Sequence, residues 1–393
     1  MKKDIHKIIL IGLFSLMSLV IPIITLINCF SNTGKVFSEN ENRYLQDLPE
    51  LTIDNIIDKK FTPDFEKYFS DRIFLREDWI GLKNNFDKLL GKTEIKGVFT
   101  ADGRMIEGWK SYDKDSVDKN LAAMNEFAEK NPDINMYFML APTAQGIYED
   151  TLPDNCGIES QKAFIKYCYE TTPAITGIDV FSDLYAARDN YIYYRTDHHW
   201  TSLASYYAYN AASKVMKYTP YTLDKFSVEH ASNSFKGTLY SKTLDNSITP
   251  DTIDYYSLSG GDPSILVSVW NGEKENDEKV VKKYSSMYFR NYLEKKDKYS
   301  SFLGTNVPEI NIKSKLPKEA DNGSLLVIKD SYAHSLVPFL TKNYSNITVI
   351  DLRYINGTFE DVGINLEDYN SVLFMFNAIT FSQDVNVKKL SFM

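Results

Sequence analysis

The sequence predicts an α/β protein in which helices cover both faces of a mostly parallel β-sheet, preceded by one membrane-spanning N-terminal helix. Three observations carry this expectation. Residues 8–27 read IILIGLFSLMSLVIPIITLI, without a charge. Beyond Val98, short apolar runs alternate with longer polar stretches of helical spacing, the pattern of a sheet whose strands are joined by helices. Several of those runs end in polar residues, and in such sheets ligands bind beyond the carboxyl ends of the strands.

The stretch Ile8 to Ile27 has the length of about 20 residues that crosses a hydrocarbon core. Lys2, Lys3 and Lys7 precede it, so the positive-inside tendency keeps the N-terminus in the cytoplasm and sends the chain after Cys29 outside. A cleavable signal peptide is the rival reading, but the apolar run exceeds a usual h-region and no A-x-A-like site follows. Pro22 is tolerable, since membrane helices accommodate proline. The expectation is a single-pass protein of the cell membrane with its functional part extracellular.

Residues 1–30 thus form a cytoplasmic stub and anchor, 31–97 a tether and an amphipathic helical segment, and 98–393 the main domain. The tether from Ser31 to Asn42 is rich in Ser, Asn and Glu, which keeps a linker solvated and extended. From Phe61 to Leu90, Phe65, Phe69, Ile73, Trp79, Ile80, Phe86, Leu89 and Leu90 recur near helical spacing among charges, which predicts one or two amphipathic helices. Predicted strands are Met136–Ala141, Tyr191–Tyr194, Leu325–Ile328, Ile347–Ile350 and Val372–Phe376. Residues 227–317 lose the alternation and become polar and Tyr-rich, as an inserted lobe or a set of substrate-facing loops would.

Composition narrows the function. With 393 residues, 43% of them hydrophobic, the chain can bury a large core. The net charge of −9, with no basic run beyond the extreme N-terminus, gives nucleic-acid phosphates no surface to follow. Cys29, Cys156 and Cys168 lack the paired spacing of a structural zinc or thioredoxin-like site, and neither a disulfide between Cys156 and Cys168 nor free thiols is favoured. The 27 Tyr and 23 Phe supply either stacking platforms for sugars or core filling.

Two segments carry chemistry. In the first, Tyr191–Tyr194 leads into Arg195-Thr196-Asp197-His198-His199-Trp200-Thr201 and a helix-like stretch, Ser202–Met216, that Thr201 can cap. Alternation in an extended segment puts Asp197 and His199 on one side, where a carboxylate fixes the tautomer of an imidazole and stabilises its cation. In the second, the apolar run Leu325–Ile328 ends in Lys329-Asp330-Ser331 before helical spacing resumes. A serine at such a junction exposes its hydroxyl at the sheet edge, and its own N–H can help to hold an oxyanion. Serine needs a base. Of the five histidines, His6 lies across the membrane span and His334 about one turn along the same helix, so His199 is the first choice, with His198, His230 and His334 in reserve. Taken singly, Ser331 reads as a helix cap and the His pair as buried hydrogen-bonded groups or ligands. No further ligand spacing supports a metal, so no metal and no cofactor are expected. Arg353 and Asn377, each closing a predicted strand near the same edge, are candidates for substrate or oxyanion contacts, with a salt bridge or a turn hydrogen bond equally open for either.

These segments resemble a known family. Thr196-Asp197-His198-His199-Trp200-Thr201 looks like the signature of the DHHW proteins of low-GC bacteria. Lys329-Asp330-Ser331-Tyr332-Ala333-His334-Ser335-Leu336-Val337-Pro338-Phe339-Leu340 resembles their second block, and Ile347–Asp351 with Leu352-Arg353-Tyr354 resembles the third. Weaker likenesses are Glu41-Asn42-Arg43, the Asp71–Arg76 stretch and Ala141-Pro142. DHHW proteins are similar to the periplasmic alginate acetylation proteins, whose domain resembles SGNH hydrolases and uses an Asp-x-His motif and a later Ser. The resemblance implies an SGNH-hydrolase-like (flavodoxin-like) three-layer sandwich, with Asp197 as orienting acid, His199 as base and Ser331 as nucleophile. It further implies transfer of acetyl groups to a secreted or cell-wall polysaccharide, with a membrane-bound O-acyltransferase as the partner that supplies them. The chain departs from an ordinary SGNH hydrolase in placing Lys329 where Gly precedes the Asp-Ser pair and in placing the His before the Ser. An acetylesterase would use the same three residues, and a non-catalytic glycan-binding or assembly subunit would need none of them.

Overall fold

The computed structural model describes residues 2–31, 35–41, 43–276 and 278–393. They divide into two compact units, one of residues 1–96 with 240–247 and one of residues 97–239 with 248–393. Parts of the expected tether, residues 32–34 and Asn42, lie outside the described residues.

The first unit begins with the helix Lys2–Ser31. Within it, His6–Ser31 is, by length and composition, long and apolar enough to cross a membrane. The amphipathic segment forms the helices Phe61–Asp71 and Arg76–Leu89, after a short helix, Ile53–Ile57, capped by the Thr52 hydroxyl. Two of the three weaker sequence likenesses, Glu41-Asn42-Arg43 and Asp71–Arg76, meet here through Glu41, Arg43, Asp71 and Arg76. Arg43 forks onto buried Asp71 with two contacts, at 2.6 and 2.9 Å, a bidentate geometry that orients both groups, and Glu41 binds both Arg43 and Arg76.

The second unit is built on one sheet. Its strands in chain order are β1 (Asn135–Ala141), β2 (Thr176–Gly177), β3 (Ile265–Glu275), β4 (Glu278–Tyr284), β5 (Glu309–Ser314), β6 (Ser324–Lys329), β7 (Asn346–Ile350) and β8 (Ser371–Asn377). Their spatial order is β4-β3-β5-β7-β6-β8-β1-β2. From β7 to β2 the pairings are parallel; β5, β3 and β4 continue the sheet antiparallel. Four of the five predicted strands are therefore present as β1, β6, β7 and β8. Tyr191–Tyr194 is not a strand of the sheet: Tyr193 makes an isolated bridge to Trp200, because this segment folds back on its own loop. Residues 227–317 supply β3 to β5 and part of a separate antiparallel hairpin, Phe226–Phe235 with Asp251–Leu258.

The parallel strands β1, β6, β7 and β8 are mostly apolar along their middles, as strands covered on both faces must be. Leu325 and Val327 of β6 enter one core with the helices Ser202–Met216 and Ala333–Leu340. Their neighbours Leu326 and Ile328 enter a second core with Lys114–Lys130, Gln161–Thr171 and Ala378–Gln383. This period-two division makes the three-layer sandwich of the SGNH-hydrolase-like fold. A hairpin, Val98–Ala101 with Arg104–Glu107, opens the unit. Asp102 and Gly103 both take positive φ at its turn, as a two-residue hairpin loop requires.

Candidate active site

Ser331 sits where β6 gives way to the helix Ala333–Leu340. The turn is held by Asp330. Its N–H donates to the Met375 carbonyl of β8 at 3.1 Å, and its buried carboxylate accepts from the Tyr332 N–H, the Asn377 N–H and Asn377 Nδ2 at 2.8, 2.8 and 2.6 Å. Burial raises this carboxyl to about 6 despite those donors. The Ser331 N–H has no hydrogen-bond partner among the described residues.

His199 comes from the loop before the helix Ser202–Met216, which Thr201 caps through its hydroxyl. Buried Asp251 shapes this loop by accepting from the Arg195 and Thr196 N–H groups at 2.7 and 2.8 Å. Asp197 Oδ1 then accepts from the His199 N–H at 3.0 Å and lies 2.6 Å from His199 Nδ1. A carboxylate only accepts, so Nδ1 carries the proton and Nε2 presents its lone pair to Ser331 Oγ, 2.7 Å away.

Asp197 has a second arm. Its Oδ2 accepts from Thr238, from the N–H at 2.8 Å and from Oγ1 at 3.0 Å. The Thr238 hydroxyl proton is used in that bond, so His198 Nδ1, 2.7 Å from Thr238 Oγ1, is the donor there. Both imidazoles are thereby tied to one carboxylate. Gly237 is required by this close approach, since a Cβ there would lie 2.3 Å from Asp197 Oδ2.

Burial alone would raise the Asp197 carboxyl, but His198, His199 and the Thr238 N–H hold it well below the usual range. Burial, reinforced by His198, brings His199 down to about 4 against the pull of Asp197. The imidazole is therefore neutral near pH 7, the form that can take a proton.

Side chains that sequence reasoning did not assign hold the two loops together. Trp200 Nε1 donates to the Tyr332 carbonyl at 3.0 Å, and the Tyr332 hydroxyl donates to the His198 carbonyl. Tyr299 lies flat on the His199 ring, and its hydroxyl donates to the Ser331 carbonyl. Trp200 and Tyr332 stand inside the two recognised motifs, which is the signal that could have found them. Tyr299 and Thr238 have no such mark, because each reaches the site from a segment with no spacing relation to either motif.

The remaining predicted residues are placed as follows. His230 pairs with Asp254 at 2.6 Å on the exposed hairpin. His334 is buried with Nε2 2.9 Å from Lys329 Nζ, and burial pushes it well below the usual histidine value. Lys329, where an ordinary SGNH hydrolase has Gly, is itself buried and reaches Asn306 Oδ1 at 2.7 Å and Asp351 Oδ2 at 3.2 Å. Asn377 is committed: its amide donates to Asp330 and Thr380, and its carbonyl oxygen caps the helix through the Thr380 N–H. Of the roles left open for Asn377, the turn hydrogen bond is the one the structure shows. Arg353 places Nε and Nη2 on Asp351 at 2.8 and 2.6 Å, and its side chain remains 34% exposed. Asp197, His198 and His199 also bring three possible metal ligands within 4.8 Å of one another, although both nitrogens of His199 and Nδ1 of His198 are engaged in the hydrogen bonds above.

Among curated proteins, none matches the chain in sequence. Among solved structures, it is similar to a DHHW family protein from Eubacterium siraeum, at 25% identity, with 75% of this chain and 93% of that one covered and a TM-score of 0.59. It is similar to Bacillus cereus PatB1, solved with a sulfonyl adduct, at 18% identity over 75% of this chain and 98% of that one, with a TM-score of 0.61. The O-acetyltransferase domain of Pseudomonas putida AlgJ is a more distant match, at 12% identity, 75% and 98% coverage and a TM-score of 0.46. The family model described as DHHW protein matches residues 97–350, a span that takes in the Asp197–His199 loop, the Ser331 turn and β1 to β7, and the chain belongs to the DHHW family.

Proposed function

We propose that this protein is an O-acetyltransferase that carries acetyl groups on Ser331 to a secreted or cell-wall polysaccharide, held at the outer face of the cell membrane by its N-terminal helix. The observation that supports it most directly is the continuous hydrogen-bonded series Ser331 Oγ, His199 Nε2, His199 Nδ1, Asp197 Oδ1, with steps of 2.7 and 2.6 Å.

In this reading the Ser331 oxygen attacks the acetyl carbonyl of a donor ester as its proton passes to His199 Nε2. The ester C–O bond breaks, the leaving oxygen takes that proton from His199 Nε2, and acetyl-Ser331 remains. A sugar hydroxyl then repeats the sequence: its proton goes to Nε2, its oxygen takes the acetyl group, and Ser331 regains its proton. Asp197 stays ionised and balances the imidazolium in each half. The free Ser331 N–H contributes one oxyanion donor, and the exposed part of Arg353 contacts substrate. A membrane-bound O-acyltransferase supplies the donor across the bilayer.

The full chain in detergent micelles, exposed to an activated acetyl ester and followed by intact mass and peptide mapping, tests this. An acetyl adduct on Ser331 that is absent in His199→Ala is the expected result, and polysaccharide added to the acetylated protein should carry the label away faster than water does. A folded protein that gains no adduct while a control esterase is acetylated would overturn the proposal. Release that polysaccharide does not accelerate would leave hydrolysis as the activity.

A further inference from the structure

The first unit carries an apolar surface that the acyl-transfer reading does not use. Leu75, Trp79, Leu82, Phe86 and Leu89 follow a spacing of four, three, four, three along the helix Arg76–Leu89 and the residue before it. That spacing lines one face of a helix. All five are exposed, from 37% for Trp79 to 84% for Leu89. Phe65 and Phe69, one turn apart on the helix Phe61–Asp71, are exposed as well, whereas Tyr68 and Asp71 of that helix are buried. An exposed apolar stripe along one helix marks a surface that something covers.

Its place relative to the apolar N-terminal helix is fixed by three hydrogen bonds. The Phe74 N–H donates to Thr25 Oγ1 at 3.1 Å, Asn28 Nδ2 donates to the Arg72 carbonyl at 3.4 Å, and the Tyr68 hydroxyl donates to the Cys29 carbonyl. Thr25 and Asn28 straddle Ile27, the last residue of the apolar run that the sequence marks as the span. At about 1.5 Å per residue, both lie within about one helical turn of where the hydrocarbon core ends. The segment Arg72–Phe74 is therefore held at the membrane boundary, and the apolar face begins at the next residue, Leu75.

We propose that this face, formed by Trp79, Leu82, Phe86 and Leu89 and joined by the exposed Phe65 and Phe69 of the preceding helix, lies in the interfacial layer of the bilayer, so that the protein both spans the membrane and is seated on its surface. The proposal rests on the anchor reading of the N-terminal helix. The occupant is lipid rather than a charged partner because the helix balances Arg76, Lys83 and Lys88 against Glu77, Asp78 and Asp87, which leaves apolar insertion as the attractive term. Trp79 is the residue type that concentrates at such boundaries. A stripe spaced four and three is also the seam of a coiled coil, so a second copy of this helix is the competing occupant.

The four tryptophans make the test selective, because Trp109, Trp200 and Trp270 are at most 6% exposed and only Trp79 lies on the proposed face. The full chain is reconstituted into phosphatidylcholine vesicles whose acyl chains carry bromine either near the headgroup or near the chain end, and tryptophan emission is read. Headgroup-proximal bromine is expected to quench more strongly, at low and high salt alike, and Trp79→Phe should lose that quenching. Leu82→Asp with Phe86→Asp should weaken it while the protein still floats with the vesicles after an alkaline wash. Flotation without quenching of Trp79 would overturn the interfacial proposal and leave the anchor intact. Cross-linking between copies of a Leu82→Cys variant, with Trp79 unquenched, would assign the face to a second copy. Failure to float would remove the anchor and the proposal together.

Discussion

The ring of Tyr299 lies flat on the imidazole of His199, with centroids 3.7 Å apart and 10° between the planes, and its hydroxyl donates to the Ser331 carbonyl at 3.0 Å. One side chain thus sets the plane of the ring and the height of the serine that the ring must meet. Tyr299→Phe keeps the stack and removes the hydrogen bond, and should slow acetylation of Ser331 by about fivefold, the worth of one neutral hydrogen bond. Tyr299→Ala removes both and should slow it by about a hundredfold, because small misplacements of reacting groups are costly. Single-turnover acetylation of the two variants measures this; equal rates would show that the stack is packing alone.

The low value of His199 sets the acid limb of the reaction. Acetylation should be level near neutral pH and fall as pH drops through about 4, because a protonated His199 cannot accept the Ser331 proton. The same depression has a stability counterpart. An unfolded histidine titrates near about 6.5, so His199 contributes stability above that pH that is lost as pH falls towards about 4.

Asp330 acts in the opposite sense. Its folded value is raised to about 6, so its contribution is present below the unfolded carboxyl value and is lost as pH rises through about 6. Asp330→Asn should therefore make the loss of stability on acidification steeper between about 4 and 6. Unfolding free energies across that range, for both proteins, give the two slopes.

A methyl group at residue 237 has nowhere to go, since its carbon would overlap Asp197 Cβ and Oδ2, each 2.3 Å away. Gly237→Ala should destabilise the second unit by about 1–3 kcal/mol and displace Asp197 from His199, slowing acetylation by about a hundredfold or more. Thermal denaturation and adduct formation, read on one sample, separate the two effects. A stable variant with normal acetylation would mean that the Thr238 arm is dispensable.

Chelation tests the three ligand-capable groups at Asp197, His198 and His199. With both nitrogens of His199 in hydrogen bonds, prolonged EDTA treatment should leave the rate of Ser331 acetylation unchanged. A loss that zinc restores would instead assign the cluster to a metal.

The sequence alone determined the apolar span, the four parallel strands β1, β6, β7 and β8 and the two short motifs that hold Asp197, His199 and Ser331. Each is written locally: in the length of an uncharged run, in apolar strands covered on both faces, and in residues that neighbour one another in the chain. Tyr191–Tyr194 shows the limit, because a short apolar segment reads alike whether it joins a sheet or folds back on its own loop. Only the tertiary structure brought Ser331 to His199 across 132 residues of chain, supplied Thr238 and Tyr299 from segments with no motif, and turned Asn377 inward to Asp330. These relations depend on which surfaces meet when both cores close, and no spacing along the chain encodes that.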